Sequence, residues 1–265
     1  MGDQEPLGTT EHFRVLVDPA LKDKHGYALS ILETCENDFA VIQNYFGGIK
    51  PPILPIDVWS IDDEGAGWSP RAGPRVMWAG TRGRDGVSLY WYASFLTAVE
   101  LVEFFAIGQV GEFNGLLGWS PARSPGEGLS RVIGDSLYPG ASFHTPVAIS
   151  WWNHGNPDQQ KDFVNHNGSD VDDTAVGCSV LFLNYLRYVL NIGWGTIVQL
   201  AGAELNFRLT LRDVCSAVTD DDADPYPQFQ SYVNDNYGWY FQQAPGTFGD
   251  NPFWHETGDP TDVGG

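Results

Sequence analysis

Basic residues are scarce in this chain. Lys and Arg number 14 against 34 Asp and Glu, which leaves a net charge of −20 over 265 residues. Nucleic acids and anionic membrane surfaces are recognised through clustered Lys and Arg, so the balance argues against both as partners. The acidity fits a solvated, self-repelling surface, with cation binding as the other use for so many carboxylates. Cysteine is scarce too. Cys35, Cys178 and Cys215 lie far apart, with no CxxC or metal-type spacing. One disulfide is open to them, but buried free thiols are the expected state. Met1–Thr10 has neither a basic start nor an apolar centre and does not read as a signal peptide; a mature form after signal removal would look the same. No apolar run reaches the roughly 18–20 residues that span a bilayer. These absences predict a soluble protein without membrane insertion, cytoplasmic or secreted in mature form. Also missing are a GxSxG turn, a Ser-His-Asp or Cys-His-Asn set, a phosphate loop and a dinucleotide fingerprint.

What is present is apolar substance. Hydrophobic residues make up 42% of the chain and there are 10 Trp, which argues against disorder. The length allows a sizeable core. Glu11–Asp18 alternates, with Phe13, Val15 and Val17 on one face, and predicts a strand. Gly26–Phe46 carries Ala28, Ile31, Cys35, Phe39 and Ile42 at three- and four-residue steps and predicts a long helix stopped by Gly47-Gly48. Ile56–Ile61 reads as a second strand and Asp62–Gly73 as a loop. Arg75–Ala79 and Val87–Tyr92 read as two more strands, joined by a turn at Thr81–Gly86.

Helices dominate after that. Ser94–Gln109 is a buried helix, Gly108–Pro125 a loop, and Gly126–Leu137 the next helix. Thr145–Trp152 is short and apolar. Asn153–Asp173 is polar and holds His154, His166 and five aspartates. Cys178–Asn191, Trp194–Leu200, Ala203–Val218 and Gln228–Tyr237 read as further helices, with Gly202 as a helix-ending residue. The predicted class is α+β: a small N-terminal twisted β-sheet with a crossing helix (residues 1–93), a mainly helical part (94–237), and an irregular Gly/Pro/Asp-rich tail (238–265). A cleft is expected between the halves near residue 94.

Three carboxylates stand out against this apolar background. Glu100 and Glu103 are about 300° apart on a helical wheel and share a face of the Ser94 helix. Glu127 opens the next helix, where a carboxylate favours the positive end of the dipole, and Arg131 four residues on is placed to pair with it. A solvent-facing role for the two helix glutamates competes with the fact that Leu96, Val99, Val102, Phe104, Phe105 and Ala106 nearly surround them. Buried carboxylates need a partner or a metal. Asn165–Asp173, NHNGSDVDD, spaces oxygen ligands as calcium loops do, but lacks the Glu of an EF-hand and reads as a solvated loop.

The order of parts resembles the thermolysin-like (gluzincin) branch of the zincin metallopeptidases. It runs through a helix of the kind GYALSILETCENDFAVIQNYFG, strands with an edge strand, a site helix, a loop, a GEGLSR helix and a GCSVLFLNYL stretch. Uncharacterised bacterial proteins with GEGLSR and GCxxLFLNYL stretches look most similar. The overlap covers roughly residues 11–237. In that family an HExxH helix supplies two zinc-binding histidines and a general-base Glu, and the next helix supplies a third ligand. Here Val99-Glu100-Leu101-Val102-Glu103 falls on the motif. The resemblance implies Glu100 as general base and Glu103 and Glu127 as metal ligands, with His154 or His166 as a helper in an active site. Val99 stands where the first histidine would be and cannot bind metal.

Three readings stand at this point. The site is degenerate, with its carboxylates held by hydrogen bonds, by Arg131 or by protonation, and serves binding or assembly with a protein or peptide. Or it is a divergent hydrolase, with a divalent cation (Zn, Ca, Mg or Mn) held mostly by oxygen. In a shifted register, His144, His154 or His166 would supply nitrogen ligands. Or the chain is a self-associating structural protein whose aromatic tail, Gly238–Gly265, docks on a neighbour.

Overall fold

Phe13, Val15 and Val17 are fully or almost fully buried along a strand in which Arg14 stays exposed. That alternation fixes which face of the sheet meets the core. The computed structural model describes residues 5–19, 21, 25–68, 76–82, 90–112, 119–139, 144–152, 157–203, 209–241 and 253. Its strands are β1 (Glu5–Thr9), β2 (Phe13–Val17), β3 (Ile56–Glu64), β4 (Ala66–Trp68) and β5 (Val76–Arg82). They form one sheet in the order β1-β2-β3-β5-β4. β2, β3 and β5 run parallel, and β1 and β4 close the edges antiparallel.

The link between parallel β2 and β3 contains α1 (His25–Tyr45), as a parallel pair requires a crossover. Gly47 and Gly48 follow α1 at φ +70 and +86, values that glycine adopts without a Cβ clash. Phe39 of α1 joins the layers. His12 stacks on it at 3.9 Å, Phe13 meets it edge-on at 5.9 Å, and Phe105 of α2 (Tyr90–Glu112) lies 5.1 Å away. α2 packs on α1, on β5 and on α3 (Ser124–Leu137). Its residues from Tyr92 to Ala106 are all buried. Tyr90–Gln109 is long and apolar enough to cross a membrane by length and composition, yet most of it is buried inside the fold. It is the central core helix, and its stretch is interrupted by Glu100 and Glu103.

The later helices are α4 (His144–Trp152), α5 (Asp173–Asn184), α6 (Trp194–Ala203), α7 (Leu211–Thr219) and α8 (Tyr226–Phe241). α5 starts on Asp172, whose carboxylate accepts from the N–H groups of Thr174 and Ala175. It runs into a π-helical turn at Tyr185–Val189. α3 and α5 approach closely at Gly128, where an added Cβ would sit 2.6 Å from Ser179 Cβ. Trp151, Phe182, Tyr185 and Phe229 form an aromatic cluster that seats α8. One continuous buried cluster runs from Phe13 to Phe253.

The architecture is α+β, a small sheet crossed by a helix and followed by a mainly helical half. Several boundaries differ from expectation. β1 was not legible, because Pro6 and Gly8 interrupt its pattern and a bulge separates them. Asp62–Gly73 is not all loop: β3 runs to Glu64 and turns at Gly65 (φ +79) into β4. Tyr90–Tyr92 begins α2 rather than ending a strand, and Val87–Leu89 lie outside the described residues. Gly202 is inside α6, and α7 starts only at Leu211, where Thr210 and Asp213 build a capping box. The three cysteines are free and buried.

Candidate functional site

Packing of α2 on α3 brings the singled-out carboxylates to one interface. Glu100 and Glu103 are each 7% exposed. Glu127 lies in the first turn of α3, and Arg131 one turn further on. Arg131 Nε and Nη2 both donate to Glu127 Oε1, at 2.9 and 2.6 Å. The two side chains are 18% and 17% exposed, so the pair is mostly withdrawn from water. Between them on the helix, Ser130 Oγ reaches Glu103 Oε1 at 3.4 Å and the Glu127 carbonyl at 3.0 Å.

Glu100 is the extreme member. Its Oε2 is buried and has no hydrogen-bond partner among the described residues. Burial pushes its carboxyl up to about 8; the Glu127 charge adds to the rise, and the Arg131 guanidinium opposes it. Desolvation disfavours the charged form, so Glu100 is mainly a neutral acid at pH 7.

A zinc or other divalent ion, which the resemblance implies, has to be tested against these residues. Position 99 carries no donor. Val99 packs straight onto α3: a Cβ at Gly134 would come within 2.6 Å of Val99 Cγ2 and 3.1 Å of Phe95. Glu127 is committed to a guanidinium, whose charge repels a cation. Burial favours the protonated form of Glu100. Among the described residues, no three His, Cys, Asp or Glu side chains converge as ligands. The donor set therefore does not fit a peptidase-type metal.

Of the histidines, His154 lies outside the described residues, as does the side chain of His144 at the start of α4. His166 is exposed and lines a different place, an open cleft of about 700 Å³ with Asp162, Thr210, Arg212, Asp213 and Asp222. The cleft's carboxylates are occupied. Asp162 accepts from the N–H groups of Val164 and Asn165 at 3.0 and 2.9 Å. Asp213 accepts from Thr210, and Asp222 accepts from Ser216 at 2.6 Å. Arg212 donates to the Asp222 carbonyl. A cleft was expected near residue 94, and residues 83–89 beside it lie outside the described residues. Ser94 is buried and shares a hydrogen bond with Ser30 at 2.8 Å.

A polar contact with no sequence signal joins α1 to the end of α3. Tyr138 donates to Asp38 Oδ2 at 2.5 Å. Burial pushes the Asp38 carboxyl up to about 6, against the lowering effect of bonds from Tyr138, Thr34 and Asn37. The partners are 100 residues apart, and neither sits in a motif.

Compared with family models, curated proteins and solved structures, the chain matches none. Its own residues carry the functional assignment.

Proposed function

We propose that the chain is a zincin-like scaffold whose site helices do not perform metal hydrolysis and which serves binding or assembly with a protein or peptide partner. The order of elements supports the resemblance: strand, crossing helix, parallel strand, antiparallel edge strand, parallel strand, long core helix, then the GEGLSR helix. The observation that carries the non-metal assignment is the Arg131–Glu127 pair, with both guanidinium nitrogens on one carboxylate oxygen. A ligand position neutralised by a fixed cation has no charge left to attract a metal.

The divergent-hydrolase alternative needs Glu100 as a base. A general base must be deprotonated at the working pH, and burial works against that at Glu100. Of the tail read as residues 238–265, residues 238–241 end α8, and beyond α8 Phe253 alone is described. Phe253 is 1% exposed and packs 4.7 Å from Tyr237 of its own chain, a contact that supports attachment of this residue within the chain rather than to a neighbour.

The deciding experiment is metal content by plasma mass spectrometry on protein purified without chelator, wild type beside Glu103→Ala/Glu127→Ala. The expected result is no stoichiometric metal in either. About one metal per chain, lost in the double variant, would overturn the proposal and restore the hydrolase.

A further inference from the structure

We propose that Asn167-Gly168 is a deamidation site that the fold holds shut, with the Ser124 hydroxyl as its lock. An Asn followed by Gly is the pair most prone to this change, because glycine puts no side chain in the way of its own N–H. The step needs no cofactor. Gly168 N bonds to Asn167 Cγ, and its proton passes by way of water to Nδ2, which leaves as ammonia. A cyclic imide closes. Water then opens either imide carbonyl and gives aspartate or, with the chain rerouted through the side-chain carbon, isoaspartate.

Both halves of the pair are imposed by their neighbours. A Cβ at position 168 would collide with Ala175 Cβ on α5, so packing demands glycine there. Asn167 Nδ2 donates to the Leu209 carbonyl at 2.7 Å and ties its segment to the approach to α7. The same contacts stop the reaction. The attacking nitrogen is occupied, because Gly168 N–H donates to Ser124 Oγ at 3.0 Å. Ser124 N–H donates back to the Gly168 carbonyl at 3.2 Å, and Arg123 and Ser169 are bridged beside it. Gly168 is thus held through both its N–H and its C=O by the fully buried first residue of α3. The leaving nitrogen is occupied at Leu209. Conversion would put an oxygen where Nδ2 sits, so that two acceptors face each other and the tie to Leu209 is lost. Asn167 Oδ1 is buried without a partner among the described residues and offers no second hold.

The test incubates the full chain at mildly alkaline pH and maps aspartate and isoaspartate at position 167 by peptide mass spectrometry, apart from the second Asn-Gly pair at Asn114-Gly115. Wild type, Ser124→Ala and Gly134→Ala are compared, each folded and each unfolded in urea. The expected result is one common rate in urea and a rate at least about tenfold lower in folded wild type, because only the opened clamp reacts. Folded Ser124→Ala should convert roughly fivefold faster than folded wild type, the weight of one hydrogen bond. Gly134→Ala, strained at the α2/α3 contact instead, should keep the wild-type rate. Should Ser124→Ala fail to fold, the wild-type rate at urea concentrations below the unfolding transition decides. A flat rate there supports the local lock, and a rate that climbs with global unfolding overturns it. Folded wild type converting as fast as the unfolded chain, or folded Ser124→Ala converting no faster than wild type, would overturn the inference. Equal acceleration in Gly134→Ala would do the same, since the whole fold would then be the lock.

Discussion

Two regions of this molecule gather acidic side chains, and they treat them in opposite ways. At the open cleft, each carboxylate meets N–H or O–H donors supplied by a turn or a helix end. Asp224 beside it is held below its usual range, first by the Asn165 amide and also by the Tyr226 N–H. At the α2/α3 interface the surround is apolar and, among the described residues, Glu100 Oε2 meets no donor, so burial raises Glu100 instead. The number of carboxylates is similar; the supply of donors and water differs. That difference separates a self-satisfied surface from an interior that favours the protonated acid.

The largest way to break this contrast is pH. Glu100 stands near 8 when folded against an ordinary 4.5, and Asp38 near 6 against 3.8. In both cases the folded state binds the proton more tightly than the unfolded chain does. Stability is then greatest below the ordinary values and falls as pH rises through the window up to the folded ones. For Glu100 the loss between pH 5 and pH 8 is on the order of 3 kcal/mol, from about 1.4 kcal/mol per unit. Urea unfolding across that range should show the decline, and Glu100→Gln should flatten most of it. A wild type as stable at pH 8 as at pH 5 would remove the buried-acid account.

Packing is the next lever. Gly134→Ala places a methyl group against Val99 Cγ2 at 2.6 Å, and the neighbouring Phe95 leaves little room for retreat. Overfilling of this kind costs about 1–3 kcal/mol. The loss should appear in the urea midpoint with an unchanged slope. An unaffected midpoint would mean that α2 and α3 are not in direct contact at Val99.

How much of this was legible beforehand follows the range of the forces involved. α1, α2 and α3 could be read because their apolar spacing is local, and the Glu127–Arg131 pair because four residues is one helical turn. β1 and β4 could not, because short edge strands take their structure from a neighbour and not from their own pattern. The Tyr138–Asp38 bond was invisible for the same reason at longer range. Glu100 could be marked as an odd residue on an apolar helix. That it keeps an unpartnered oxygen was not readable, because that depends on what α3 fails to offer it.

The smallest expected effect falls on the open cleft, and it checks the other half of the contrast. Thr210 Oγ1 accepts from the Asp213 N–H at 3.2 Å, and the Asp213 carboxylate accepts from the Thr210 N–H at 2.8 Å. This reciprocal pair satisfies two donors at the start of α7. Thr210→Ala removes half of it and should cost about 1 kcal/mol, the usual scale for losing a helix cap. Asp222→Asn, further from the cap, should stay within about 0.5 kcal/mol, as surface exchanges do. Neither should alter the slope of stability between pH 5 and pH 8 that Glu100 and Asp38 impose, because both changes lie outside that interface. If Thr210→Ala did change that slope, the cleft and the buried interface would be coupled, and its carboxylates would no longer be local helix furniture.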